Sequence, residues 1–424
     1  MAVTAEIPVE KSQTEAAPRP RASRLARLGI PATAGNRLPG VDGLRAVAAL
    51  WVVLFHMDAF SHARFHLLPL QMLLRTGSTG VSLFLVLSGF CLYIPFAGGR
   101  TDRFRTRDFL LRRCRRLMPA YYVSLAIFLV LNIGLFAWLG FPGFSGPNLL
   151  LQALAHATLT HTLFTNTFYA VNGAYWSLGL EWQLYLSMPF IIWGIRRFGL
   201  TRTVATVVCC NILYGLVLGL LIRHNVIAGG GPLANVVLPN ELFGRWAEFA
   251  FGVAAAELYV TGRLNDLGRR LKWVIPCLIP AFVAVSVWSG LHGLVIGAGR
   301  HIMYGLVFFC LLSLVLASNN IVSRLAGWTP LVVLGTMSYS LYLVHQPIVQ
   351  GLAYVGHTYF HLGDQADFIA VFACLPFILM CAWVLFYTVE RHTLTSKKAK
   401  RVEATAERAA PLETAVPQPG TATS

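Results

Sequence analysis

The 424-residue chain is 56% hydrophobic and only 12% charged, with a formal net charge of +16 and a mean hydropathy of +0.62. So much apolar surface with so few charges excludes a water-soluble enzyme, a disordered protein and a fibrous repeat, because water-compatible groups could not cover it. The composition is that of a chain that crosses a bilayer many times.

Residues 1–36 are rich in Ala, Pro and Arg, lack apolar periodicity and read as a disordered basic arm rather than a cleavable signal. A helix needs about 20 apolar residues to cross the hydrocarbon. Ten such runs follow, near 41–60, 77–97, 117–139, 174–195, 203–222, 241–260, 273–291, 301–318, 330–353 and 367–389. An eleventh stretch, Asn148 to Phe168, carries two histidines, two asparagines and five threonines, and reads as a re-entrant or surface helix. The fold expected for residues 37–392 is all-α, a polytopic membrane helix bundle of about ten spans plus that extra helix. A polar tail, 393–424, is too poor in apolar residues to form a domain, and no appended soluble domain is expected.

Basic residues orient the bundle. With ten spans, 28 of the 34 Lys and Arg fall on the side of the two termini, eight of them between Arg100 and Arg116. Only Arg64, Arg75, Arg223 and Arg300 fall in loops opposite, so a cell-membrane protein with both termini cytoplasmic is expected. The same placement accounts for the net charge without a nucleic-acid partner. The eight cysteines show no CxxC spacing, and no GxxxxGKS, GxSxG or HExxH string occurs. Disulfide, zinc, NTPase and serine-hydrolase readings therefore lack support, and no metal is expected.

The spans contain ionisable groups, each costly in hydrocarbon. In the first span Arg45 and His56 are eleven residues apart, about 20° past three full turns, so they share a helix face. The rise between them is roughly 16 Å, with Arg45 near the inner surface and His56 in the outer half. A ligand bridging both would be long and thin with an anionic inner end. The bland alternative is a snorkelling arginine and a packing histidine. In Arg107-Asp-Phe-Leu-Leu-Arg-Arg-Cys-Arg-Arg-Leu-Met-Pro119, either Arg112 with Arg115 or Arg113 with Arg116 offers a guanidinium pair suited to phosphate if the segment is helical. Spacing does not choose between them, and ordinary inner-surface charge competes with both.

In the fourth span Glu181 lies one to two turns below the outer surface, at the depth of His56, and an isolated carboxylate there needs a partner such as His56 or Arg245. Trp176 and its aromatic neighbours are the usual interfacial anchors. Arg245 and Glu248 in the sixth span, at i and i+3, can neutralise one another. His345 in the ninth span matches the depth of His56, beside Pro347, with helix packing as its bland alternative.

Five strings then align in order: Leu38-Pro-Gly-Val-Asp-Gly-Leu-Arg45 followed by His56, Arg113-x-x-Arg116-Leu-Met-Pro, Tyr175-Trp-Ser-Leu-x-x-Glu181, Arg245-x-x-Glu-Phe-x-Phe-Gly252, and Ser338-Tyr-Ser-Leu-Tyr-Leu-Val-His345. Over roughly residues 38–392 the chain resembles the membrane-bound acyltransferase-3 proteins, which O-acylate sugars, envelope glycans and some antibiotics. The resemblance implies an acyl-CoA donor, acetyl by default, taken from the cytoplasm as a substrate rather than a resident cofactor. It marks Arg45, His56, Arg113 and Arg116 as matching the family's functional motifs, with the arginines suited to the phosphates of coenzyme A.

On this reading His56 is the general base on the acceptor hydroxyl, or carries the acyl group itself, and Glu181 orients or charge-balances it. Arg45, Arg113 and Arg116 hold the donor, while Trp176, Arg245, Glu248 and His345 support the site. Some family members carry an extra span and a soluble esterase-like domain. With neither evident in this chain, a small glycosylated metabolite is open as acceptor beside a glycan. The competing class is a secondary transporter for an anionic or sugar-containing ligand, which would call for an internal repeat and a matched pair of broken spans that the sequence does not display.

Overall fold

The computed structural model describes residues 38–61, 68–140, 148–228, 231–264, 266–267, 297–317 and 320–394. The expected arm at 1–36, the tail from 395 and the run at 273–291 lie outside them.

Pro39 starts the first helix, α1 (Pro39–Phe60), at a position where the missing N–H costs nothing. A short helix, Leu68–Arg75, and a 3₁₀ turn lead into α2 (Gly80–Tyr93). The third helix, α3 (Thr106–Leu131), begins well before the apolar run, so Arg107 to Arg116 lie on a helix rather than in a loop. After α4 (Leu149–Ala157) come α5 (Trp176–Phe198), which ends on Gly199 with φ +83°, α6 (Leu200–Arg223) and α7 (Leu242–Val260). Gly199 serves as the helix stop because only glycine enters that region without strain. Next are α8 (Gly297–Leu316), the short α9 (Ile321–Ala326) capped by the Asn320 side chain, α10 (Thr329–Thr336) and α11 (Ser338–Thr358). The last, α12 (Asp364–Ala373) and α13 (Leu375–Leu385), run on through a π-turn, Phe386–Glu390.

The described residues are all-α, with no strand among them, and the chain is a multi-pass membrane protein. Among the described residues, six stretches are long and apolar enough to cross a bilayer: Pro39–Phe60, Leu73–Phe96, Thr106–Leu135, Leu200–Arg223, Gly299–Leu316 and Asp364–Leu394. Three further helices, α5, α7 and α11, have 23, 19 and 21 residues, enough for a crossing, but their polar side chains dilute the apolarity. These are the helices that carry Glu181, Arg245 with Glu248, and His345. The run read as one span at 330–353 is two helices, broken at Met337.

Residues 148–168 form only the nine-residue α4 followed by turns. At 1.5 Å per residue this is about 13 Å, less than half the hydrocarbon thickness. One side of the segment packs against the bundle, while Leu150, Leu154 and Phe164 stay exposed. His156 and His161 are fully buried, their rings stacked with centroids 4.1 Å apart. Burial pushes His156 down to about 4 and His161 down to about 3, the second helped by the neighbouring imidazole. Tyr121 on α3 donates to the His156 carbonyl at 2.9 Å and ties the segment to the bundle.

Close packing depends on small residues. A Cβ at Gly89 of α2 would overlap the Phe249 carbonyl of α7, and one at Gly252 of α7 would overlap the Val86 carbonyl of α2, so the two backbones meet through reciprocal glycines. The start of α11 is held from the far end of the fold. Glu390 accepts from the Ser340 backbone N–H at 3.2 Å and from its hydroxyl at 2.6 Å, satisfying first-turn groups that have no partner within the helix.

Candidate active site

The straight run of α1 sets Arg45 and His56 three turns apart on one face, each opening into a cavity. The inner cavity is narrow, about 90 Å³, and is lined by Arg45, Arg113 and Arg116 at its polar end and by Val81, Phe84 and Leu85 along its wall. Arg113 and Arg116 are half-buried there, whereas Arg112 and Arg115 are exposed. Of the two pairs that spacing left open, Arg113 and Arg116 are the one that lines this cavity. Arg113 lies over the Phe109 ring at 5.9 Å, and its Nε is buried without a hydrogen-bond acceptor. Three guanidiniums at the end of a thin apolar slot suit a polyanion attached to a slender arm.

The outer cleft is larger, about 520 Å³, and contains His56, Trp176, Arg245, Gln346 and Gln350. His345 of α11 stands beside it with Nε2 3.1 Å from His56 Nδ1. The tautomers follow from the carbonyls around them. His345 Nδ1 lies 2.9 Å from the Tyr342 carbonyl and 3.2 Å from the Leu341 carbonyl, oxygens that can only accept, so Nδ1 carries the proton and Nε2 is the lone pair. His56 Nδ1 lies 2.9 Å from the Val52 carbonyl and must likewise be the protonated nitrogen, its hydrogen shared with His345 Nε2. His56 Nε2 is then the free base, with no hydrogen-bond partner among the described residues. His345 can accept more strongly from Nδ1 once Nε2 has taken a proton, which is the job of an orienting group.

Glu181 does not take that place. Its carboxylate lines the inner cavity, accepting from Ser88 at 3.1 Å and from the Tyr185 hydroxyl, and no contact joins it to His56 or Arg245. Trp176, five residues earlier on α5, lines the His56 cleft, whereas Glu181 lies further along the helix in the Arg45 cavity and is turned towards Ser88 of α2, so neither depth nor direction brings it to His56. Arg245 is paired with Glu248 at 2.9 Å and hydrogen-bonded to His301, and its guanidinium faces the Trp176 ring at 5.8 Å. This buried group presents Trp176 to the outer cleft. Trp176 also stacks on Phe168, so it is an internal side chain rather than an interfacial anchor. Tyr342, Ser177, Ser88 and His301 had not been singled out. The first two sit inside the strings around His345 and Trp176, and hydroxyl residues in a span give little signal of their own.

A family model described as an acyltransferase domain matches residues 38–387. The chain belongs to the acyltransferase-3 family. Among its relatives, this acyltransferase-3 protein is 26% identical over 344 residues to the putative peptidoglycan O-acetyltransferase YrhL of Bacillus subtilis, covering 74% of the chain and 48% of the relative. It is 25% identical over 337 residues to the O-acetyltransferase OatA of Staphylococcus aureus, covering 74% and 50%. The peptidoglycan O-acetyltransferase OatA of Listeria monocytogenes is 24% identical over 339 residues, covering 74% and 49%. The chain spans about half the length of the curated relatives it matches. No solved structure matches it.

Proposed function

We propose that the chain is a membrane O-acyltransferase that moves an acyl group, acetyl by default, from cytoplasmic acyl-CoA to a hydroxyl of a carbohydrate or glycosylated acceptor. The observation that carries this reading is the His56 and His345 pair on a cleft that meets the three-arginine cavity. Val81 and Tyr342 line both spaces. The diphosphate of coenzyme A suits Arg45, Arg113 and Arg116, and the pantetheine arm suits the apolar slot, since the roughly 16 Å rise from Arg45 to His56 is comparable with its extended length.

His56 Nε2 takes the proton of the acceptor hydroxyl as its oxygen attacks the thioester carbonyl. The C–S bond breaks, the new C–O bond forms, and the proton is returned to the departing thiolate, leaving an ester and free coenzyme A. His345 holds His56 in the tautomer that keeps Nε2 bare. A glycan acceptor is supported by the names of the relatives, and the cleft offers an indole face at Trp176 with the amides of Gln346 and Gln350, groups that stack on and hydrogen-bond to sugars.

Donor loading from the cytoplasm follows from charge. Acyl-CoA is too anionic to cross lipid, and the three arginines belong to the face that holds most of the basic residues when both termini are cytoplasmic. The test is sided. Inside-out vesicles bearing the full chain should release free thiol from added acetyl-CoA, and sealed right-side-out vesicles should not. His56→Ala should lose turnover by about 10² to 10⁴-fold while still binding coenzyme A. Consumption by the right-side-out vesicles alone, or full turnover by the alanine variant, would overturn the reading.

A further inference from the structure

The two cavities meet at one residue pair, Val81 and Tyr342, and Tyr342 is the larger of the two. Its ring lies between the apolar slot below and the His56 cleft above. Three contacts hold it there. Ser177 Oγ donates to the Tyr342 hydroxyl at 2.6 Å, with both side chains buried. The Phe84 ring on the slot wall meets it edge-on at 5.9 Å, and the His345 ring lies 5.4 Å away on the cleft side. Tyr342 thus touches the wall of the donor slot and the orienting histidine at once.

We infer that Tyr342 is the gate through which the acyl end of the donor passes to His56, and that its ring limits the length of acyl group delivered. The inference rests on the donor reading above. A thioester threaded from the arginines has to pass this ring to reach the base, because Tyr342 and Val81 are the residues that the two spaces share. An acetyl group adds one methyl beyond the carbonyl and needs only a small displacement of the ring. Each further methylene must lie against the ring or displace it more. The Ser177 hydrogen bond is the latch, and because it joins two side-chain hydroxyls it can break and re-form without moving the Tyr342 carbonyl that fixes the His345 tautomer. Side-chain rotation therefore opens the path while the catalytic pair stays in register.

The experiment uses the detergent-solubilised full chain with a soluble chitin oligosaccharide as acceptor, and compares free-thiol release from acetyl-CoA and hexanoyl-CoA. The readout is the ratio of kcat/KM for the longer donor over the shorter. Tyr342→Leu, which keeps an apolar side chain but removes the ring, should raise that ratio by about tenfold or more, the scale on which apolar pockets discriminate by chain length. Ser177→Ala, which releases the latch and keeps the ring, should move it the same way by a smaller factor, as should Tyr342→Phe. If Tyr342→Leu fails to fold, Ser177→Ala and Tyr342→Phe decide by the same rule. A ratio unchanged from the parent, with both donors slowed equally, overturns the gate and leaves the donor reading standing. Absence of thiol release from either donor by the parent chain removes the donor reading, and the gate with it.

Discussion

Replacing His345 separates the orienting role from the chemistry of His56. In His345→Leu the side chain is apolar and of similar bulk, and His56 Nδ1 keeps its bond to the Val52 carbonyl at 2.9 Å. The ring therefore retains one of its two constraints, and what disappears is the 3.1 Å acceptor that strengthens when His56 becomes cationic. A hydrogen bond to a charged group contributes about 1.5–3 kcal/mol, so kcat should fall roughly 10- to 150-fold, less than the loss from removing His56 itself. The loss belongs to the transition state, so KM for acetyl-CoA should stay within about twofold of the parent. His345→Gln offers an amide oxygen near the position of Nε2 and should recover part of the rate. Initial rates of thiol release over a range of donor concentrations measure each quantity. Leu and parent enzymes with equal kcat, or Gln and Leu variants equally impaired in both kcat and KM, would show that the His56 and His345 contact is packing alone.

The arginines should divide by burial: Arg113→Ala and Arg116→Ala weaken coenzyme A binding about tenfold or more by calorimetry, Arg112→Ala and Arg115→Ala change it by less than about threefold, and lysine at 113 or 116 rescues only partly. Cys91 lines the arginine slot, so maleimide labelling there should block donor turnover, coenzyme A should slow that labelling, and Cys91→Ser should resist the block. The buried His156 and His161 pair sets an acid limit on stability. Both groups are held below their unfolded value near 6.5, so the unfolded chain binds more protons between about pH 6.5 and 4 and stability falls as pH drops through that window. The Tm in detergent should decline from pH 7 to pH 4.5, and His161→Gln should flatten the decline; a Tm rising with acidification would refute the assignment.

Helix content and the polar members of the site were legible in the sequence because charge in hydrocarbon is expensive enough to mark itself. Arg45 and His56 were placed on one face by arithmetic alone, and α1 keeps them there because it runs unbroken from Pro39 to Phe60. The Arg113 and Arg116 pair needed the helix phase of α3, which begins at Thr106, to be preferred over its neighbours. The partner of His56 was not legible. Depth in the membrane is read along the axis of each helix, and on that reading Glu181 and His345 both matched the depth of His56. In the fold α5 brings Trp176 to the His56 cleft and carries Glu181 on into the Arg45 cavity, while α11 brings His345 against His56, so both the axial offset and the rotation of a helix against α1 are tertiary facts fixed by packing. The break at Met337 was hidden for a related reason, since an apolar run shows no discontinuity when two helices meet end to end. Hydroxyl residues such as Ser177 and Tyr342 blend into any span and gain meaning only from what they touch.

The clasp between Glu390 and Ser340 has a consequence for biosynthesis. His345 rides on a helix whose first turn is completed by a carboxylate fifty residues later, in nearly the last turn of the fold described. A ribosome feeding this chain into the membrane delivers His56 early and His345 late, and the group that seats the start of α11 later still. Through almost the whole of translation His56 exists without a finished α11, so a truncated or stalled product can insert with Arg45, Arg113 and Arg116 in place yet cannot bring His345 to His56. Activity in this architecture becomes a property of the finished chain, and a fusion or tag joined after Leu394 leaves the clasp intact, whereas one joined before Glu390 removes it.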